Sequence, residues 1–174
     1  MKRAIVIALS VILALVVAAP TVLAQGNGGA PGDVNVSFDL PAQDPNADPT
    51  DLASLGCDFP LHFEVTGKTK TIELPNGGFI LTAPGQYVTV TNVDTGEALT
   101  FNITGSQFGS APDANGVVDY VITGRNLAFD PAGVFLNEGR FTFSLQLDEN
   151  GTPIKIVEPQ EGKGQAIDVC ALLS

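Results

Sequence analysis

The chain has no tryptophan, one histidine, one methionine, two tyrosines, two cysteines, and eight basic residues against nineteen acidic ones over 174 positions. Each scarcity closes off a class of function. So few Lys and Arg, at a formal net charge of −11, provide no basic surface for a polyphosphate, which excludes nucleic acid as a partner. With no Trp, and only Tyr87 and Tyr120, an aromatic platform for sugars is disfavoured. Two cysteines and one histidine cannot complete a four-ligand zinc site, and Cys57 and Cys170 are too far apart to form a C-x-x-C redox pair. No S-x-x-K, H-E-x-x-H or phosphate-binding loop occurs, and Gly105-Ser106-Gln107-Phe108-Gly109 places its serine one position too early for G-x-S-x-G. Charged residues are also sparse, at 16% against 44% apolar, so the chain can fill one core and is not globally disordered.

What is present begins with an address. Lys2 and Arg3 precede an apolar run from Ala4 to Ala19, Pro20 breaks it, and Val22-Leu23-Ala24 offers small or modest residues before Gln25. This three-part pattern predicts a secretory signal peptide over residues 1–24, cleaved between Ala24 and Gln25, and hence a secreted, extracellular product. No second apolar run is long enough to span a bilayer, so no stable membrane insertion is expected after cleavage. Loss of Lys2 and Arg3 leaves six basic against nineteen acidic residues, net −13, which favours solubility and repels anionic surfaces. In an oxidising compartment Cys57 and Cys170 predict a structural disulfide. That pairing requires their α-carbons to lie within about 7 Å.

Residues 25–33 are Gly-rich and read as a flexible leader, and residues 34–56 as a short strand (Val34–Leu40) plus a Pro/Asp-rich connection. From residue 57 to 174 one pattern recurs, a short alternating run followed by a Gly-containing turn. Cys57, Phe59, Leu61, Phe63 and Val65 share a face. Turns are expected at Gly67-Lys68, Asn76-Gly77-Gly78, Pro84-Gly85 and Asp94-Thr95-Gly96, a loop at 105–116, and strands at Val117–Thr123, Leu127–Phe129, Phe141–Leu147, Ile154–Val157 and Ile167–Leu172. No stretch of ten or more residues after the signal segment has a helical period. The pattern predicts an all-β domain, an antiparallel β-sandwich of immunoglobulin-like or jelly-roll type, with a closed up-and-down β-barrel as the alternative.

Candidate chemistry is thin. His62 with Glu64 two residues on could form half of an acid/base site, but such neighbours on an outer strand face are usually just solvated. Asp44, Asn46 and Asp48 follow the D-x-N-x-D spacing that gathers oxygen ligands around calcium, with Asp51 as a further donor. Pro49 replaces the turn glycine and Leu55 the bidentate Glu, so only a weak calcium site is expected, against the default of an ordinary Asx-Pro turn segment. Asn35, Asn102 and Asn150 begin N-x-[ST] sequons. Arg125 and Arg140 each follow a glycine and are candidates to pair with Asp119 or Asp130.

The run Cys57-Asp58-Phe59-Pro60-Leu61, the turn Thr91 to Gly96, Gly124-Arg125-Asn126-Leu127, Gly139-Arg140 and the terminal Asp168-Val169-Cys170-Ala171-Leu172 together resemble a set of secreted β-rich proteins from high-GC Gram-positive bacteria. The resemblance spans about residues 57–173. It implies export, β-architecture and the disulfide, and carries no activity or catalytic residue with it. The expectation is a non-enzymatic β domain acting outside the cell by binding an extracellular protein or glycan, or as structure. A hydrolase acting on carbohydrate through dispersed carboxylates is the alternative, and a calcium-stabilised surface module the second alternative.

Overall fold

The computed structural model describes residues 29–174. The predicted signal segment and its Ala24–Gln25 junction lie outside the described residues. Nine strands follow in order: β1 (Gly32–Leu40), β2 (Leu61–Glu73), β3 (Phe79–Thr82), β4 (Tyr87–Asn92), β5 (Ala98–Asn102), β6 (Gly105–Gly109), β7 (Val117–Asp130), β8 (Gly133–Leu147) and β9 (Pro153–Asp168). A 3-10 turn at Leu52–Ser54 and a one-turn helix α1 (Val169–Leu172) complete the elements. All pairings are antiparallel, in the order β5-β4-β2-β3-β6-β7-β8-β9, with β1 added to β2. The sheet does not close into a barrel, and the fold is sandwich-like.

Strand β2 links the two layers. Its first half, Leu61–Thr69, pairs with β1, and Leu61–Thr66 also pairs with β4; Lys70–Glu73 pairs with β3. The expected turn at Gly67-Lys68 is therefore a bend within a continuous strand. Gly67 has φ +125, and a Cβ there would overlap the Gly85 carbonyl, so glycine permits both the backbone angle and the close approach.

The main core confirms the alternation. Leu61, Phe63 and Val65 of β2, Val88 and Val90 of β4, Val134 and Leu136 of β8, and the terminal Val169 and Leu173 are buried together. Phe63 stacks on Phe38 of β1 at 4.8 Å and meets Phe129 of β7 edge-on at 5.6 Å, an aromatic junction between the layers. Cys57 and Cys170 are joined as expected, with α-carbons 5.5 Å apart. Three further local assignments change. The residues read as a terminal strand from Ile167 divide between the end of β9 and helix α1, whose N-cap Asp168 accepts a hydrogen bond from the Ala171 N–H at 3.0 Å. Residues 105–109 form β6 inside the expected loop, and β9 runs unbroken through the polar stretch after Val157.

Candidate binding cleft

The site is built on a row of glycines. Gly105 of β6 pairs with Gly124 of β7, Gly124 with Gly139 of β8, and Gly139 with Gly164 of β9. Four strands thus carry glycine at one register position. Gly124, Gly139 and Gly164 have φ +80, +148 and +151, angles that side chains resist. A Cβ on Gly105 would sit 2.5 Å from the Arg125 carbonyl oxygen, and one on Gly139 would overlap the Lys163 carbonyl. The breaks expected after Thr123 and before Phe141 are this seam, crossed by unbroken strands.

Both faces of β7 are used around the seam. Val118, Tyr120 and Ile122 before it and Ala128 after it are buried on one face; beyond the seam, Leu127 and Phe129 on the opposite face pack against the core formed with β2 and β4. On β8, Val134 and Leu136 face that core, whereas Phe141, Leu145 and Leu147 belong to two smaller clusters on the other side. Alternate residues of a strand point to opposite faces, so β7 and β8 can present one face to each core, and the glycines at positive φ bend the strands between the two regions.

A cleft of about 80 Å3 opens beside the seam. Its walls include Ile122, Ala128, Phe143, Leu145 and Ile156, with Leu55 contributed by the connection and Asn126, Asp130, Glu158 and Gln160 as polar lining. The connection is held there by backbone bonds from Gln43 N–H to Cys57 O and from Ile156 N–H to Thr50 O, and by Gln43 Nε2 donating to Pro131 O at 2.8 Å. Gln107 of β6 also lines the cleft; it is 8% exposed, and its Nε2 is buried without a hydrogen-bond partner. Asn137 is fully buried with neither amide atom partnered, and is registered opposite Asn126. Buried amides of this kind are costly unless another molecule satisfies them. Nearby, the Tyr120 ring stacks on Phe143 at 4.9 Å, and burial pushes its hydroxyl pKa well above the ordinary tyrosine value.

The residues singled out from sequence lie elsewhere. Asp44, Asn46, Asp48 and Asp51 form successive local turns. Asp44 Oδ1 accepts from the Asn46 N–H at 2.9 Å, Asp48 Oδ1 from the Thr50 N–H and hydroxyl at 2.8 Å each, and Asp51 Oδ1 from the Ala53 N–H at 2.9 Å. The Thr50 N–H, aided by its hydroxyl, holds the Asp48 carboxyl below its ordinary pKa. Each carboxylate thus serves its own backbone, and among the described residues no three His, Cys, Asp or Glu side chains gather as a metal site.

His62 pairs with Asp39 of β1 rather than with Glu64: Nδ1 lies 2.6 Å from Asp39 Oδ1. Residues directly opposite in a ladder are closer than residues two apart on one strand, and Asp39 stands opposite His62. Arg125 likewise meets its cross-strand partner Glu138, with Nε 2.8 Å from Oε1, instead of Asp119 or Asp130. This is a close charge contact without an aligned N–H, half-exposed, and worth little to stability. Asp119 instead accepts from the Ser144 hydroxyl at 2.7 Å, with Glu158 Oε2 3.4 Å from the same oxygen.

Sequence reading missed Gln107 and the cleft. The two glycines of Gly105–Gly109 look like a loop, and their meaning as half of a cross-strand register is visible only once β6 and β7 are paired. Set against protein families, curated proteins and solved structures, the chain matches none of them.

Proposed function

We propose that this protein is a secreted, disulfide-stapled β domain that acts by binding, without catalysis, at or outside the cell surface, and that the cleft beside the glycine seam is its binding site. The observation that carries the reading is the combination of a mostly apolar concavity with a few polar groups, Asn126, Glu158 and Gln160, in its lining. Binding sites typically pair mostly apolar lining with a few placed polar groups. The predicted signal segment and the Cys57–Cys170 bridge support an extracellular setting, as does the resemblance to secreted β-rich proteins of high-GC Gram-positive bacteria.

The test is ligand-observed NMR with a mixture of small uncharged and charged fragments on the purified disulfide-bonded protein. Fragments should bind wild type and lose binding in Gln160→Trp, where an indole at the lining narrows the entrance. Binding unchanged by that substitution places the ligand elsewhere and overturns the assignment of the site. The export half is read by expressing the full chain in a Gram-positive host and sequencing the N-terminus of the protein in the medium, where Gln25 is the expected first residue.

A hydrolase reading draws on one specific observation, that Asp130 and Glu158 both line the cleft. Asp130 Oδ1 also caps its own turn, accepting from the Ala132 N–H at 2.9 Å, which suits a structural role. Release of reducing sugar from cell-wall polysaccharide, abolished by Glu158→Gln, would favour that alternative. Calcium stabilisation through Asp44–Asp51 is the remaining alternative, and a melt with calcium against EDTA decides it.

A further inference from the structure

We infer that two copies of this chain meet through the face of β3, β6, β7 and β8 that lies opposite the cleft. The inference goes beyond the cleft reading and does not depend on it.

Residues directly opposite in a ladder share a face. Ile72 of β2 stands opposite Ile80 of β3, Ile80 opposite Phe108 of β6, and Phe108 opposite Val121 of β7. These four form one apolar row across four strands. Ile72, Ile80 and Val121 are only half-buried, and Phe108 is 36% exposed. Beyond the seam the same face of β7 and β8 is covered, since Leu127, Phe129, Val134 and Leu136 pack against residues of β2 and β4. Before the seam it is open. On the seam side of the apolar row runs a second row, Lys70, Thr82, Ser106, Thr123, Arg140 and Lys163. On the far side stand Asp119, Ser144 and Glu158. Among the described residues Lys70, Arg140 and Lys163 make no ion pair, so Arg140 meets neither Asp119 nor Asp130 of its own chain.

An apolar centre between a basic and an acidic edge is complementary to itself. A two-fold axis along the apolar row sets that row against its equal and reverses the strand direction. Lys163 then lies over the second copy's Glu158, and Arg140 between the second copy's Asp119 and Glu158. Glu161, which ends the row on β9, is flanked by Lys163 of both copies. A partner of uniform charge would match one edge and meet like charge at the other. Strands about 4.8 Å apart and rows about 7 Å apart give a face of about 600 Å2 per copy. Two copies then cover about 1,200 Å2, above the roughly 1,000 Å2 of a specific interface. The net charge of −11 on each copy opposes the meeting, so association in the micromolar range is expected.

The experiment is sedimentation velocity of the purified disulfide-bonded protein from micromolar to millimolar concentration. Wild type should pass from monomer to dimer, and Phe108→Asp should stay monomeric, because it places two unpaired carboxylates in the apolar centre. Lys163→Glu should weaken the dimer about tenfold by setting like charges opposite each other, and Lys163→Glu combined with Glu158→Lys should restore it. A wild type that remains monomeric at millimolar concentration overturns the inference. A dimer that survives Phe108→Asp places the interface elsewhere and overturns it equally. If Lys163→Glu has no effect, or the exchanged pair fails to restore association, the two-fold arrangement is wrong. Should Phe108→Asp not fold, the exposed Lys163 and Glu158 variants decide the question alone.

Discussion

Replacing Gly139 by alanine tests whether the close backbone approach at the glycine seam is required for the pairing of β7, β8 and β9. Two costs add at this position. The backbone at φ +148 is a conformation an L-residue adopts at a cost of about 1–3 kcal/mol. The new methyl would overlap the Lys163 carbonyl and sit 2.8 Å from the Gly164 Cα. Both are backbone atoms of a paired strand and cannot rotate away, so overpacking adds about 1–3 kcal/mol. Gly85 is the control: it has φ +65, but a methyl placed there would meet nothing within 4 Å, so Gly85→Ala carries only the conformational cost of about 1–2 kcal/mol. In equilibrium urea unfolding with the disulfide intact, Gly139→Ala should therefore be the more destabilised by about 2 kcal/mol or more, an earlier midpoint by about 1 M. Hydrogen exchange should quicken most in residues 125–138, the part of the β7–β8 ribbon beyond the seam. Equal destabilisation by the two substitutions would refute the reasoning, since it would mean the close approach at Gly139 relaxes freely and the register of glycines is incidental.

Two further outcomes are expected. Replacing both Cys57 and Cys170 by alanine should lower stability by about 4–5 kcal/mol on the loop-entropy argument for a bridge spanning 113 residues, measured as the shift in unfolding free energy; a loss below about 1 kcal/mol would show that the α1 docking holds the termini without the bond. Asp48, Asp113 and Asp148 are each held below the ordinary 3.8, mainly by backbone N–H groups of Thr50, Val117 and Thr152. Groups depressed in the folded state stabilise it above their unfolded pKa and lose that contribution as pH falls through the folded value. The triple Asp→Asn variant keeps the turn acceptors but removes the titration, so its stability should fall less steeply below about pH 4 than that of wild type; parallel curves would sink the assignment.

Much of the fold was legible because the period of a half-buried strand is written in the side chains. Leu61, Phe63 and Val65 alternate with His62 and Glu64, and the structure buries the first set and leaves the second partly or wholly exposed. Asn76-Gly77-Gly78, Pro84-Gly85 and Asp94-Thr95-Gly96 are turns as expected, since each supplies a glycine at positive φ. Three of the errors share one cause. At Gly67, Gly124 and Gly139 the same residue that ends a strand in a turn instead bends a strand that continues, and local sequence does not distinguish the two. Partner choice failed for a related reason: His62 finds Asp39, 23 residues away in sequence, and Arg125 finds Glu138, because ladder register outranks proximity along the chain.

By itself the sequence determined the β class, most turns and the Cys57–Cys170 bridge, all of which follow from period, turn chemistry and the scarcity of cysteine. Tertiary structure alone decided that four glycines from four strands stand in one row and that the connection's Leu55 closes a wall. It also decided that Gln107, inconspicuous in a short polar run, lines an apolar cleft without a partner. Those features arise from pairing between distant segments, and pairing depends on which faces meet rather than on any residue's own preference.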